Sequence, residues 1–458
     1  MHDLLIDAAR RGIRYRDSLD ERRVAPSNEA IAELARLREP MPAYGSPAHQ
    51  VLALLDDLGS PATVATAGGR YFGFVNGSSL PVTVASNWLA TAWDQNVALG
   101  VMSPIAATLE DVTLGWLTEL FGLPHGTTGT FVTGATLASF TALAAARHAL
   151  LKQTGWDVGA DGLFGAPPVT VVVGEEAHAS IGRALALLGL GRERVLRVPT
   201  DRNGRMRADA LPSLPAGPVL VCTQAGNVNT GAFDPFDDVC DWAQRHDAWV
   251  HVDGAFGLWA AVSPQHAHLT AGLGRADSWA TDGHKWLNVP YDCGIALVRS
   301  ADSLRAAMAL TAAYLPPSEL RDPMHYGPDA SQRARAVDVW AALKYLGRDG
   351  LAEMVARCCR HAARIARELS AAGCEVLNEV VLNQVLVAFG DEAKTLAVID
   401  ALQRDGTCWC GVSRWHGRAV MRISVSSWAT TDDDVDRSLE AMLALARPDS
   451  RKERTDRS

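Results

Sequence analysis

Two charged side chains at the ends of predicted strands carry the chemistry that this sequence suggests. Asp253 closes the apolar run AWVHVDG, and Lys285 follows in DSWATDGHKWLNVPYDCG. A lysine amine can hold an aldehyde cofactor as a Schiff base, and a carboxylate can keep a pyridine nitrogen protonated so that the ring accepts electrons. The pair therefore predicts a bound pyridoxal 5'-phosphate (PLP).

A predicted helix start offers a place for the phosphate group. The run GTFVTGATLASFTALAAARHAL begins with small and hydroxyl residues and continues rich in Ala and Leu, so Ala135 and Thr136 lie near the first turn. Free N–H groups, the positive end of the helix dipole and a hydroxyl all suit a phosphate dianion. An ordinary helix cap with small residues for packing is the alternative for this motif taken alone.

His178 lies in VVVGEEAHASIGRALALLG, after an apolar strand and before the next helix. Ligands of open α/β sheets collect at the carboxyl ends of strands, where an imidazole can lie flat over a planar ring. A helix cap or a hydrogen-bonded loop residue is the plainer alternative. The hypothesis that His178 contacts the cofactor is favoured by its neighbours in the sequence. The phosphate-type helix start, His178, Asp253 and Lys285 occur in an order that predicts a common sheet edge.

The elements that must position these residues alternate between short apolar strands and helices from residue 66 to 320. Val, Ile and Leu runs at 169–174, 217–224, 248–254 and 294–300 are typical of strands buried on both faces. They predict an α/β domain with a mostly parallel sheet flanked by helices.

The flanking regions read differently from the central domain. Residues 1–65 predict a helical segment interrupted by prolines, with too little mass for its own core, and we expect it to pack on a partner subunit. Residues 321–447 predict a smaller α+β domain. Residues 448–458 predict a solvated, disordered tail.

Composition narrows the class of protein. The chain has 458 residues and a formal net charge of -9, which argues against nucleic-acid and anionic-membrane partners and favours a small-molecule substrate. Its eight cysteines form no CxxC pair, so neither a zinc site nor a disulfide framework is predicted. The first residues form a charged amphipathic pattern without an apolar signal-peptide stretch, from which we expect a cytoplasmic protein.

Four segments resemble the PLP-dependent group II amino-acid decarboxylases, the family that includes aromatic-L-amino-acid (DOPA), glutamate and histidine decarboxylases. They are HVDGAFGLW, TDGHKWLNVPYDCG, EEAHASIGRA and TGATLASFTALAAAR. The similarity extends from about Tyr71 to about Trp340. It implies the fold type I architecture of PLP enzymes, a homodimer with active sites at the subunit interface, and decarboxylation of an L-amino acid to an amine and CO2.

The resemblance also implies roles for individual residues. Lys285 would bind the cofactor covalently, Asp253 would pair with the ring nitrogen and His178 would stack on the ring. The phosphate would be received by Ala135, Thr136 and His284, near Asp282, which stands where aromatic decarboxylases have Asn.

Two positions depart from the family pattern. The family often has Gly-Thr-Thr near the cofactor, where this chain reads AGNVNTGAFDP, so Asn229 is expected to replace a hydroxyl, with Asn227 as a second possibility. Leu137 stands where an acidic residue is common.

The family protonates the substrate carbon from a mobile loop, usually through a tyrosine. The corresponding stretch is TAAYLPPSELRDPMHYGPDASQRARA, rich in proline and polar residues. Tyr326 is the predicted acid, with Tyr314 second. The alternative is a surface aromatic in a flexible connector.

Substrate contacts are predicted from the segments RYFGFVNGSSLP and WLATAWDQNVALGVMSP. Tyr71, Phe72, Trp93 and Ser103 are the candidates, and their types favour an aromatic or large apolar side chain. Ordinary interface packing is the alternative.

Two other functions remain open from the sequence. Residues that hold a cofactor do not choose which bond breaks, so oxidative decarboxylation to an aldehyde, transamination or aldol-type cleavage is possible on the same scaffold. A non-enzymatic or nucleotide-binding α/β module is disfavoured because the chain has no GxGxxG or GxxxxGK[ST] motif.

Overall fold

The computed structural model describes residues 1–310 and 320–446, which form two compact units. The first unit contains residues 1–78 and 361–377 and continues from residue 385. The second unit contains residues 79–360 and 378–384.

Fourteen α-helices occur in the described part of the chain. In chain order they are α1 (His2–Asp17), α2 (Asn28–Glu33), α3 (Ala48–Leu54), α4 (Ser60–Ala62), α5 (Pro81–Trp93), α6 (Pro104–Leu120), α7 (Ala135–Gln153), α8 (Val158–Asp161), α9 (Ala179–Leu187), α10 (Phe236–Arg245), α11 (Ala301–Met308), α12 (Arg335–Ala371), α13 (Glu392–Asp405) and α14 (Asp432–Ala446). Several begin as their sequences require. Pro104 opens α6 at a position where a missing N–H costs nothing, and Asp391 caps α13 by accepting the Lys394 N–H.

The described strands form two sheets. The larger sheet contains β1 (Thr128–Val132), β2 (Thr170–Gly174), β3 (Val195–Val198), β4 (Val219–Gln224), β5 (Trp249–Asp253), β6 (Ser278–Asp282) and β7 (Gly294–Val298) in the order β1-β7-β6-β5-β4-β2-β3. The smaller sheet contains β8 (Glu375–Val376), β9 (Gln384–Ala388), β10 (Gly411–Trp415) and β11 (Arg418–Ser424) in the order β10-β11-β9-β8.

The directions of the strands determine which strand ends share an edge of the larger sheet. Strands β2 to β6 pair in parallel, and β7 runs antiparallel between β6 and β1. The carboxyl ends of β1, β2, β4, β5 and β6 therefore meet at one edge, together with the start of β7. Loops that follow these strands are brought together at that edge, as in other open α/β sheets.

Helices packed on this sheet hold it in place. Leu143 and Leu150 of α7 and Ile181 of α9 are buried against Val171 and Leu220 of the sheet. Each fully buried side chain of this size contributes about 1.5–3 kcal/mol relative to an exposed one. The helices that carry the predicted phosphate and ring contacts are therefore anchored by apolar packing rather than by the site itself.

The first unit joins both ends of the chain. Val24 N–H donates to Gly406 O at 2.8 Å, Phe72 N–H donates to Trp409 O at 2.8 Å, and Ser424 N–H donates to Phe72 O at 2.9 Å. Segments far apart in sequence are thus connected through backbone hydrogen bonds, which sequence periodicity does not reveal.

The predicted fold class is confirmed: a mostly parallel sheet flanked by helices, an N-terminal helical segment and a smaller C-terminal sheet unit are all present. The compact units divide the chain at places other than the predicted boundaries after residues 65 and 320. The backbone bonds of residues 24 and 72 explain part of this difference, because they group the N-terminal segment with C-terminal residues. The partner-packing role predicted for residues 1–65 stays a prediction.

Within residues 1–310 and 320–446, no helix combines the length and the hydropathy that crossing a membrane requires.

Candidate active site

A cavity of about 530 Å³ lies at the carboxyl edge of the larger sheet. It is lined by residues from the start of α7, one face of α9, the loop after β5 and the turn after β6. These are Thr133, Gly134, Ala135, Thr136, Leu137, His178, Ser180, Arg183, Leu187, Ala255, Asp282, His284 and Lys285. Six of the residues predicted to bind the cofactor are therefore brought to one cavity: Ala135, Thr136, His178, Asp282, His284 and Lys285.

The first turn of α7 approaches the start of β7 closely. A side chain at Gly294 would place its Cβ 2.4 Å from Gly134 Cα, and one at Gly134 would place its Cβ 3.3 Å from His284 Cε1. Glycine at both positions lets the helix start lie against the strand and face the cavity. Within the described residues, neither the backbone N–H nor the hydroxyl of Thr136 has a hydrogen-bond partner. These two donors are therefore available to an anion.

Asp282 connects the helix start to the lysine. Its Oδ1 accepts the Ala135 N–H at 2.6 Å, and its Oδ2 lies 3.2 Å from Lys285 Nζ. The Asp282 side chain is only 3% exposed, so the carboxylate depends on these donors for its solvation. Asp282 thereby fixes the lysine amine beside the N-terminus of α7.

His284 is held as a neutral ring. Burial lowers the pKa of His284, against the opposing effect of the Asp282 carboxylate. Its Nδ1 accepts the Cys293 N–H at 3.1 Å, which leaves the proton on Nε2, 3.7 Å from Asp282 Oδ1. The Tyr291 ring stacks on His284 with centroids 4.3 Å apart. Lys285 therefore has a neutral N–H donor, His284 Nε2, as its neighbour in the sequence.

His178 and Asp253 are connected through Ser180. His178 caps α9, where its Nδ1 accepts the Ser180 N–H at 3.2 Å and lies 2.7 Å from Ser180 Oγ. Ser180 Oγ is in turn 3.4 Å from Asp253 Oδ2. The His178 prediction and its helix-cap alternative are therefore both compatible with this geometry, since the cap residue also lines the cavity.

Asp253 lies at the end of β5, behind the cavity wall formed by Ser180 and Ala255. It is 5% exposed, and its Oδ1 accepts the Ala255 N–H at 3.2 Å. One neutral N–H donor and a long hydroxyl contact satisfy an ionised carboxylate only in part, so a charged N–H partner would be favourable here.

These groups fit PLP. The unpartnered donors of Thr136 at the start of a 19-residue helix suit a phosphate, and Arg183 adds a positive charge to the same cavity. Asp253 suits a protonated ring nitrogen, and the Lys285 amine suits an aldehyde carbon.

Several predicted site residues lie elsewhere. Asn229 is buried but does not line the cavity, and its N–H donates to Asn227 Oδ1 at 2.9 Å within a hydrogen-bonded turn. Asn227 Oδ1 also faces the Thr230 N–H at 3.3 Å, so this asparagine shapes the turn. The geometry thus gives Asn229 no cavity contact, and its cofactor role stays a prediction without structural support.

Tyr326 lies at the other end of the sheet. Its ring packs against the cluster that contains Val298 and Leu304, and the Arg321 guanidinium lies 3.5 Å above it. Val298 is four residues along β7 from Gly294, which corresponds to about 13 Å. Tyr326 therefore lies away from the cavity in this chain, and its role as the acid stays a prediction. Tyr314 lies outside the described residues.

The four predicted substrate residues occupy separate places. Tyr71 and Phe72 are buried in the first unit, where the Tyr71 ring stacks on Trp409 at 5.1 Å. Trp93 ends α5 and is 43% exposed, and Ser103 is buried at the start of α6. Their substrate roles remain predictions.

Sequence reasoning missed five cavity residues: Ser180, Arg183, Leu187, Ala255 and Thr133. The first three could have been found from their spacing, because positions 180, 183 and 187 lie three and four residues apart and therefore on one face of α9. Ala255 follows the recognised Asp253 by two residues.

Comparison with known proteins identifies a family for this chain. Residues 63–390 match the family described as "Pyridoxal-dependent decarboxylase conserved domain". An aromatic-L-amino-acid decarboxylase of Bacillus atrophaeus is 29% identical over 346 residues, covering 72% of this chain and 70% of the relative. An L-2,4-diaminobutyrate decarboxylase of Rhizobium meliloti is 30% identical over 433 residues, covering 89% and 84%.

Among solved structures, Oryza sativa TDC with PLP and tryptamine superposes with a TM-score of 0.89 at 22% identity, covering 97% of both chains. This likeness extends the agreement in fold to nearly the whole chain. The two named relatives act on different classes of amino acid, so they leave the substrate open.

Proposed function

The chain belongs to the pyridoxal-dependent decarboxylase family and is a PLP-dependent amino-acid carboxy-lyase; we propose that it acts on an L-amino acid with an aromatic or large apolar side chain, giving the amine and CO2. The observation that supports the apolar preference is the cavity wall, to which Leu137 and Leu187 both contribute. Burial of an aromatic side chain against such a wall is favourable by the area that it removes from water.

The chemistry that PLP supplies when bound is an aldehyde that captures an amine and a conjugated ring that accepts the electron pair left by CO2. Lys285 must lose a proton before its amine can bond to an aldehyde carbon. Asp282 Oδ2, 3.2 Å from Lys285 Nζ, holds that amine in the cavity, where an aldehyde carbon can reach it once the proton has left. We assign Lys285 as the covalent anchor on this basis.

Charge at the other groups follows from their surroundings. Asp253 would hold a proton on the ring nitrogen, because its carboxylate is buried and its partners within residues 1–310 and 320–446 are one backbone N–H and a long hydroxyl contact. Thr136 and His284 would hold the phosphate, with Arg183 offsetting its charge, whereas the Ala135 N–H already donates to Asp282 Oδ1. His178 would lie against the ring from the start of α9.

The second candidate function is oxidative decarboxylation to an aldehyde. One observation favours it: the tyrosine predicted to return a proton to the substrate carbon packs against Val298 and Leu304, and no tyrosine is among the described residues that line the cavity. A carbon that is not protonated promptly is open to oxygen.

Product analysis tests both candidates. The full-length protein, loaded with PLP, is incubated separately with L-tryptophan, L-tyrosine, L-phenylalanine, L-glutamate and L-2,4-diaminobutyrate, and CO2, amine and aldehyde are quantified by mass spectrometry. We expect the highest kcat/KM with an aromatic substrate and amine as the main product. Preference for glutamate or diaminobutyrate would contradict the apolar substrate, and a main aldehyde product would establish the second candidate.

We propose further that two copies of the chain form a homodimer. Helices α1, α2 and α3 bury no residue, and many large apolar side chains in this region are exposed. Within the first 55 residues these are Met1, Leu5, Ile6, Ile13, Ile31, Leu37, Met41, Tyr44, Val51, Leu54 and Leu55. Exposure of this much apolar surface is typical of an interface.

Sedimentation velocity tests the dimer. We expect the wild-type protein to sediment as a dimer and Leu5→Asp/Ile13→Asp to sediment mainly as a monomer, because both side chains are more than half exposed in the single chain. A monomeric wild type would contradict the proposal, and so would a variant dimer of unchanged affinity.

A cytoplasmic location is the remaining proposal. All eight cysteines are free thiols, and seven of them are buried, as is usual in a reducing compartment.

A further inference from the structure

Ser180 holds a position between the two residues assigned to the ring of the cofactor. Its hydroxyl oxygen lies 2.7 Å from His178 Nδ1 and 3.4 Å from Asp253 Oδ2. The residue is 8% exposed and lines the cavity. A buried hydroxyl between an imidazole and a carboxylate can serve either partner, but it has only one proton to donate.

The hydrogen-bond inventory decides where that proton lies. The Ser180 backbone N–H donates to His178 Nδ1 at 3.2 Å, so Nδ1 acts as an acceptor. A hydroxyl at 2.7 Å forms a strong bond, whereas 3.4 Å is long for such a donor. Both donors of Ser180 therefore converge on Nδ1, and the ring proton of neutral His178 lies on Nε2.

We propose that Ser180 is a positioning residue that fixes His178 as the Nε2–H tautomer and connects the charge of His178 to Asp253. When Nδ1 takes up a proton, the new N–H donates to Ser180 Oγ, and the hydroxyl rotates to donate its own proton to Asp253 Oδ2. No covalent bond breaks at Ser180, and the only proton gained is the one on His178. Asp253 then accepts an additional hydrogen bond only while His178 is charged.

This coupling rests on the proposed function for its meaning. His178 and Asp253 are the residues assigned to the face and the nitrogen of the PLP ring, so the hydroxyl would adjust Asp253 to the protonation state of His178. The two distances themselves join side chains of this chain and involve no atom of the cofactor.

Other charges also act on His178 and must be separated from the effect of the hydroxyl. Arg183 lies on the same helix, Asp253 lies across Ser180, and Asp282, His284 and Lys285 line the same cavity. These groups act through space whether or not a hydroxyl is present. A double-mutant cycle between positions 180 and 253 isolates the part that needs the hydroxyl.

The test uses the full-length protein with ¹³C,¹⁵N-labelled histidine, with and without PLP. Nitrogen chemical shifts report the tautomer of His178, and a pH series reports its titration midpoint. In Ser180→Ala we expect the midpoint to fall by roughly one unit, because the charged ring loses a charge-assisted bond that is stronger than the bond lost by the neutral ring. Ser180→Thr keeps the hydroxyl and should restore the wild-type midpoint.

The cycle adds Asp253→Asn in both backgrounds. We expect this change to lower the His178 midpoint more when Ser180 is present than when alanine replaces it. An equal shift in both backgrounds, or an unchanged midpoint in Ser180→Ala, would overturn the proposal. Should Ser180→Ala fail to fold, Ser180→Cys keeps the side chain's shape with a weak donor and is expected to show the same fall.

Ser139→Ala is the matched control. Ser139 is a buried serine of α7 whose Oγ lies 3.4 Å from Nε2 of another buried histidine, His251. Its removal should leave the His178 midpoint unchanged. Failure of the protein to take up PLP would contradict the proposed function alone, since the cofactor-free measurement still decides the role of Ser180.

Discussion

The two ends of the larger sheet both collect charged residues, yet only one end is built to receive a ligand. At the carboxyl end, Asp282, Lys285 and Arg183 line a cavity of about 530 Å³. At the amino end, Glu110 and Arg321 form an ion pair at 3.4 Å, and the Arg321 guanidinium covers the Tyr326 ring. Charged residues at a sheet end therefore do not by themselves indicate a binding site. The decisive difference is whether those side chains line a cavity or are already paired with other residues of the same chain.

The amino end is closed by its own side chains. Arg321 Nη1 donates to Thr128 Oγ1 at 3.1 Å, and a further donor of the same guanidinium bonds Gly129 O. Burial raises the pKa of Glu110 to about 7, with Arg321 opposing the shift. This cluster attaches the segment around residue 321 to β1. We therefore assign it a structural role rather than a catalytic one.

The largest effect is expected for Lys285→Ala. Removing the amine should abolish covalent attachment of PLP and lower kcat/KM by at least about 10³-fold, as loss of a covalent catalyst does. Absorbance of the loaded protein and mass measurement after borohydride reduction report attachment. Lys344→Ala, which removes an exposed lysine of α12, is the control and should keep both adduct and activity.

Asp253→Asn and Asp277→Asn compare the same change at the two ends of the sheet. Asp253 is buried and Asp277 is half-buried, and Asp277 Oδ2 accepts the Val250 N–H at 2.8 Å near the amino end of β5. We expect Asp253→Asn to lower kcat by roughly 10²–10³-fold, as loss of an electrostatic stabiliser does. Asp277→Asn should leave kcat near the wild-type value. Equal losses in steady-state kinetics would contradict the distinction between the ends.

Glu110→Gln tests the amino end through stability. Burial favours the protonated acid in the folded state, with a pKa of about 7 against an ordinary 4.5. The contribution of protonated Glu110 to the free energy of unfolding is therefore complete below pH 4.5 and is lost as the pH rises through 7. Relative to Glu110→Gln, the wild type should lose on the order of 2–3 kcal/mol between pH 5 and pH 8. Urea unfolding at both pH values measures this, and parallel pH dependence in the two proteins would refute it.

Tyr326→Phe should have the smallest effect. The Tyr326 hydroxyl has no hydrogen-bond partner among the described residues, and the ring packs in an apolar cluster. We expect an unchanged ratio of amine to aldehyde in the products. A rise in aldehyde on this substitution would restore Tyr326 as the acid and break the assignment of the amino end to structure.

Sequence reasoning located the carboxyl end well because its residues follow strand ends. Val171 to Val173 and Val250 to Val252 show the strands directly, and the side chains after them must share an edge in a parallel sheet. Ala135, Thr136, His178 and Lys285 therefore met as expected, together with Asp282 and His284, whose roles the family resemblance had implied.

The same reasoning did not place loop residues. The Asn229 N–H donates to Asn227 Oδ1 within a hydrogen-bonded turn. Tyr326 packs against Arg321 at the opposite end of β7. Residue type alone suggested chemistry for both. Their positions depend on contacts between residues far apart in sequence, such as Arg321 with Glu110, for which a linear pattern contains no signal.

Peptide mapping of the borohydride-reduced wild-type protein tests the central claim most directly. After loading with PLP, reduction and digestion, we predict a single pyridoxyl adduct on the peptide that contains Lys285. An adduct on another lysine, or none at all, would contradict the assignment of this cavity as the active site.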